Sequence, residues 1–98
     1  MKAATDKLSL ALRAIADPTR RKILRQLQKT HNRNGNPPGL CASDIEQRIK
    51  LAQPTISHHM KILKKAGLID TAKNGTWVWY RRNEVALRSL RKNLQSEL

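Results

Sequence analysis

A tight connection, Lys50-Leu51-Ala52-Gln53, leads from one segment with an apolar stripe at helical spacing to the next. Ile45 and Ile49 make the first stripe, and Ile56, Met60 and Leu63 make the second. A connection that tight leaves room for neither a strand nor a crossover, so the two segments must cross each other closely. A short helix over about Ala42–Ile49, a tight turn and a longer amphipathic helix from Gln53 form a helix-turn-helix pattern. In such a unit the second helix lies in the major groove, with its N-terminal residues at the base edges.

The rest of the chain reads as a frame for that unit. Leu8, Leu12 and Ile15 recur at helical spacing, with Thr5 or Asp6 as the cap of a first helix. Asp17 is a good N-cap and Pro18 a good first-turn residue for a second helix. That helix turns Ile23, Leu24 and Leu27 inward and Arg20, Arg21, Lys22 and Arg25 mostly outward. From Lys29 to about Cys41 the sequence is rich in Asn, Gly and Pro and lacks periodicity, as a long loop would. It reads as a disordered insertion or as a basic arm that touches a partner.

Beyond Gly67, a left-handed stop for the fourth helix, two strand-like runs follow: "LIDTA" and "TWVWYR". Asn74-Gly75 between them is a strong hairpin signal. A last helix opens at Asn83 and carries the stripe Leu87, Leu90, Leu94 and Leu98. The expected fold is therefore mainly α with a two-stranded β-hairpin. It is one helix-turn-helix domain over residues 1–98, in the order of four helices, two strands and a fifth helix.

The second helix of the unit has two unlike faces. At about 100° per residue, Ile56, Met60 and Leu63 point inward, with His59 at the edge. Pro54, His58, Lys61 and Lys65 point the other way, flanked by Thr55 and Ser57. Gln53 can pair with an adenine edge, and Thr55, Ser57 and His58 offer small donors and acceptors. Lys61, Lys64 and Lys65 suit phosphates, which give affinity but not sequence. The hairpin tip, Lys73, Asn74, Gly75 and Thr76, is narrow, polar and basic, so it can reach a neighbouring groove. Between Gln47 and Arg82 the only acid is Asp70, against eight Lys or Arg. The whole chain carries a formal net charge of +13 over 98 residues. Such an imbalance points to a polyanion, either nucleic acid or an anionic membrane surface.

These pieces resemble a known family. "IADPTRRKIL", "QPTISHHMKILKKAGLI" and "NGTWVWYR", in this order, look like the ArsR/SmtB winged-helix repressors of bacteria and archaea. The resemblance spans about Leu8 to Arg82. It implies a homodimer joined mainly through the first and last helices, with interface residues Leu8, Leu12, Ile15, Leu87, Leu90 and Leu94. It further implies two reading helices on a palindromic double-stranded operator, repression by occluding a promoter (often the protein's own), and a cytoplasmic place at the nucleoid. Metal-sensing members carry Cys-x-Cys-Asp at the third helix, whereas this chain has Cys41-Ala42-Ser43-Asp44. Other members bind zinc through Asp and His on the last helix, and this last helix has neither. Metal sensing and any cofactor are therefore not expected.

Several residues admit a second reading. His58 and His59 are adjacent, so on a helix they diverge and do not chelate one ion easily. Cys41 and Asp44, with His31 as an added ligand, make an incomplete metal site. As the lone cysteine, Cys41 forms no intrachain disulfide; it is either a small buried hydrophobe or a redox switch bonded across a dimer. Trp77 and Trp79 share one strand face, and Val78 and Tyr80 the other. One face should pack on the helices while the other shields the hairpin, base stacking being the sharper alternative. Arg81 and Arg82 are phosphate contacts or a solvated pair. Arg20 and Arg21 are surface charge or partners of Asp17. The leucine stripes could be core rather than interface. "MKAATDKLSLALRAIAD" mimics a leader peptide, but Lys7 and Arg13 interrupt its apolar run, so it reads as a helix. No run is long enough to span a bilayer. No nucleophile–base pair, carboxylate dyad or phosphate-cradling glycine loop suggests an enzyme. An RNA- or protein-binding winged helix is the remaining alternative.

Overall fold

A computed structural model describes residues 6–28 and 39–98. Its elements run α1 (Lys7–Ile15), α2 (Pro18–Gln28), β1 (Leu40–Cys41), α3 (Ala42–Ile49), α4 (Gln53–Lys65), β2 (Ile69–Asn74), β3 (Trp77–Arg82) and α5 (Glu84–Glu97). Thr5, His31 and most of the long loop lie outside the described residues.

Local chemistry sets the helix ends. Asp6 caps α1, its Oδ1 accepting from the Ser9 N–H at 2.7 Å. Asp17 caps α2 by accepting from the N–H groups of Thr19 (2.8 Å) and Arg20 (3.1 Å). Asn83 caps α5 through the Ala86 N–H. The end of α4 is a Schellman turn: Gly67 has φ 78°, the Leu68 N–H donates to Leu63 O, and the Gly67 N–H donates to Lys64 O. Lys50 closes α3 in the left-handed region at φ 62°, an uncommon conformation for a side chain with a Cβ. That single residue turns the chain from α3 toward α4.

The core gathers one stripe from every helix. Ile23, Leu24, Leu27, Ile45, Ile49, Ile56, Met60, Leu63, Leu68 and Ile69 are all buried. Helix α1 contributes Ala11 and Ala14 as its buried residues, while Leu8 and Ile15 are half-buried and Leu12 is 37 % exposed. Two alanines let α1 lie close to its neighbours and leave its larger leucines at the margin. Leu87 and Leu90 of α5 are buried within the single chain, and Leu94 only partly.

The sheet departs from the expected hairpin in two ways. First, it has three strands in the order β1-β3-β2, all antiparallel. Leu40 and Cys41, expected at the end of the loop, pair with Tyr80 and Trp79. Gly39 makes this approach possible. It has φ 129°, and a Cβ there would stand 2.1 Å from the Tyr80 carbonyl oxygen. Leu40 then drops into the core. Second, the turn sits one residue later than the Asn-Gly signal suggests. Asn74 pairs with Trp77, so Gly75 and Thr76 are the two loop residues. Gly75 has φ 65°, while Thr76 is not in the positive-φ region. This is the glycine-first pattern of a type II′ hairpin. It spares β-branched Thr76 the left-handed conformation that a type I′ turn would demand of its second residue.

Candidate nucleic-acid interface

Helix α4 presents its two faces as its periodicity requires. Ile56, Met60 and Leu63 are buried, whereas Gln53, Pro54, Thr55, Ser57, His58, Lys61, Lys64 and Lys65 are exposed. No side chain caps its first turn. The positive end of the helix is thus open toward an anion, beside the side chains suited to base edges. Lys73, Asn74 and Thr76 are exposed at the wing tip. The chain therefore leaves all ten of the anticipated contact side chains at the surface, on two elements joined only by Ala66, Gly67 and Leu68.

The neighbouring histidines have different settings. His58 is exposed and His59 half-buried. Their ring centroids lie 5.8 Å apart with planes 59° from parallel. Among the described residues no group of three or more His, Cys, Asp or Glu is placed to hold a metal ion.

His59 instead meets Arg20. The Arg20 Nη1 lies 3.1 Å from His59 Nδ1. A guanidinium only donates, so Nδ1 accepts and the ring is neutral there. Desolvation lowers the His59 pKa below the usual histidine range; Arg20 and His58 push the same way, and Asp17 opposes them. The same guanidinium donates from Nε to Ala14 O at 2.6 Å and from Nη2 to Arg13 O at 3.2 Å. Arg21 Nη1 donates to Ile15 O at 2.6 Å. Arg13 O also accepts from the Ala16 N–H at 3.3 Å. Two arginines thus supply donors to the last carbonyls of α1, where helical N–H groups run out. Their backbone starts α2, and Arg20 also touches α4. The alternatives of loose surface charge or a side-chain pair with Asp17 give way to a bracket between three helices. The sequence cue was present but quiet: two arginines just past a capping Asp-Pro, within reach of the preceding helix end.

Arg82 also differs from its expected role. Its side chain is only 7 % exposed, and its Nε lies 3.0 Å from Glu84 Oε2. Nη2 donates to Glu84 Oε1 and Nη1 to Leu24 O. It ties the sheet to α2 and α5 and is neither solvated nor free for a phosphate. Arg81 is exposed.

Cys41 is buried and precedes the first turn of α3. Its thiol donates to Asp44 Oδ2 at 3.2 Å, and its N–H reaches the same oxygen at 3.3 Å. The Ser43 hydroxyl lies 3.3 Å from the sulfur. Where a metal-sensing pattern would have a second thiolate, this chain builds a small hydrogen-bonded helix start.

A profile described as bacterial regulatory protein, arsR family, matches residues 17–71, which hold α2, α3, α4 and the start of the wing. The chain belongs to the ArsR family. This ArsR-family regulator is 43 % identical over 75 residues to an HTH-type transcriptional regulator of Methanocaldococcus jannaschii, covering 76 % of each chain. It is 39 % identical over 75 residues to the transcriptional repressor SdpR of Bacillus subtilis, covering 76 % of this chain and 74 % of that one. With the arsenical resistance operon repressor of Staphylococcus aureus it shares 35 % over 88 residues, 90 % of this chain and 77 % of the other. Its fold matches a crystal structure of an ArsR-family transcriptional regulator with a TM-score of 0.77 at 23 % identity, over 94 % of this chain and 92 % of that one. It also matches a homodimeric winged helix-turn-helix DNA-binding domain from Mycobacterium bovis, with a TM-score of 0.71 at 24 % identity, over 98 % and 83 %. The ArsR-family chain is a transcriptional regulator of winged helix-turn-helix fold, not an enzyme. No helix among its described residues is long and apolar enough to cross a membrane.

Proposed function

We propose that this regulator is a homodimeric, sequence-specific repressor that binds a palindromic operator on duplex DNA, its own promoter included, in the cytoplasm at the nucleoid. One observation carries the reading. The exposed face of α4 is polar at its N-terminal end and cationic beyond, and the wing tip extends the same chemistry. Gln53, Thr55, Ser57 and His58 meet base edges, with Pro54 beside them at the surface. Lys61, Lys65 and Lys73 meet phosphates, and Asn74 and Thr76 enter the flanking groove.

The dimer seam runs along α1 and α5. Leu12 is 37 % exposed and Val85 65 %, with Leu8, Ile15 and Leu94 half-covered beside them. A groove of about 360 Å³ between α1, the end of α4 and α5 is walled by Leu8, Ala11, Leu68 and Leu90. Because Leu87 and Leu90 are already covered by their own chain, the partner meets mainly Leu8, Leu12, Ile15 and Leu94. The M. bovis homodimer and the named repressors among the relatives support this reading. Oxidation of Cys41 as a switch gains no support, since its thiol is enclosed and hydrogen-bonded.

The deciding experiment selects random duplex fragments with the purified protein and sequences those retained. An inverted repeat with one fixed spacing is the expected product. Fragments without symmetry, or a preference for RNA, would refute the proposal.

A further inference from the structure

We infer that Trp77 is a DNA-contact residue of the wing, its indole packing on the apolar sugar edges of the groove that the tip enters. The inference rests on the DNA-binding reading of α4. Three observations lead to it.

The first is exposure. Trp77 is 58 % exposed, while Val78, Trp79 and Tyr80 behind it are all half-buried. A tryptophan carries about 150–250 Å² of buriable surface, so leaving one in water forgoes a large favourable term. The second is position. Trp77 is the first residue after the Gly75-Thr76 loop and pairs directly with Asn74. Paired side chains leave a sheet on one face, so the indole stands beside a residue already assigned to the groove. Tyr80, of opposite parity, packs against the core, so Trp77 belongs to the face turned away from it.

The third observation is charge. Arg81 shares the parity of Trp77 and is exposed, and Lys73 is exposed next to the tip. The one acid of the two long strands is Asp70, opposite Arg81 at the far end of the ladder. Lys73 pairs with Val78 and so leaves the wing on the opposite face, which puts a cation on each face of the wing; an exposed aromatic ring at such a tip suits a surface that alternates apolar sugars with phosphates. An anionic bilayer has similar chemistry. Duplex DNA is favoured because Trp77 adjoins the wing tip and the exposed face of α4 is rich in Gln, Thr, Ser and His, residue types that read bases and that a bilayer does not require.

Trp79→Phe leaves Trp77 as the sole tryptophan. Its acrylamide quenching is measured with and without a fluorescein-labelled operator duplex, whose anisotropy reports binding independently. The expected result is severalfold weaker quenching once the duplex is bound. In parallel, Trp77→Ala should weaken binding about tenfold at every salt concentration without changing the salt slope. Lys73→Ala should reduce that slope by about one. Should Trp79→Phe not fold, 5-fluorotryptophan in the native chain gives two ¹⁹F resonances, assigned through Trp77→Phe, that answer the same question.

A duplex that binds by anisotropy while Trp77 stays as quenchable as in free protein overturns the inference and leaves the DNA-binding reading standing. Protection by phosphatidylserine vesicles or by self-association, but not by the duplex, also overturns it. A flat anisotropy trace at low salt brings down both together.

Discussion

Replacing Arg20 by Ala removes three side-chain hydrogen bonds at once, to Ala14 O, Arg13 O and His59 Nδ1. They differ in worth. Ala14 has no exposed surface, so its carbonyl is poorly placed to find water as a substitute. A hydrogen bond to a charged donor contributes about 1.5–3 kcal/mol, and the bond to Ala14 should stand near the top of that range. Arg13 is exposed and its carbonyl keeps the Ala16 N–H as a donor, so the loss there is small. His59 is half-buried and loses a fraction of its bond. Together these give a loss of about 2–4 kcal/mol, a large share of the roughly 5–15 kcal/mol typical of a domain. The assay is urea unfolding at fixed protomer concentration, because association shifts apparent stability. With a slope of about 1–3 kcal/mol per M, the midpoint should fall by about 0.7–4 M with the slope unchanged. Arg20→Lys should recover less than half, since one ammonium cannot serve three acceptors on two helices. A midpoint for Arg20→Ala within experimental error of the parent would show that the bracket contributes nothing and that Arg20 is ordinary surface charge.

Other outcomes follow from the same geometry. The folded His59 pKa is lowered, so the unfolded chain binds the proton more readily. Stability is therefore complete above the ordinary histidine pKa of about 6.5 and should decline as pH falls below it toward the folded value. His59→Gln should flatten that decline in thermal melts, and an unchanged slope would refute the assignment. Gly39→Ala should destabilise by about 2 kcal/mol or more through positive φ and the collision with Tyr80, read by chemical denaturation; parity with the parent would show that β1 readily detaches. Gln53→Ala or Ser57→Ala should cost about 1–3 kcal/mol on the preferred duplex and relax base choice in selection experiments. Lys61→Ala should weaken all sequences alike, and the reverse division would show that the roles are misassigned.

Local signals made much of the architecture readable. Asp17-Pro18, Asn83 and Gly67 act on backbone groups within a few residues, so their consequences show in the sequence. The inward triad Ile56, Met60 and Leu63 follows from period alone. Strand β1 did not show, because two residues display no alternation and their partners, Tyr80 and Trp79, lie some forty positions away. The hairpin slipped by one residue because Asn74-Gly75 and Gly75-Thr76 both contain the glycine a tight turn needs. Arg20 and Arg82 look like solvent-facing charge in a one-dimensional reading, and their long side chains reach acceptors that only folding brings near. Leu87 and Leu90 show a stripe that a core or a subunit contact would display equally. The face of α4 was plain throughout, since exposure there follows from what the opposite side buries.

On the proposed palindromic operator, the Arg20 bracket bears on the spacing of the two α4 helices. In the proposed dimer seamed along α1, each α4 packs on α1 through the shared core and is also clasped by one guanidinium that grips the tail of α1 and the flank of α4. Under that proposal, a change in the angle between the two α1 helices would pass to both α4 helices through the bracket as well as through the core.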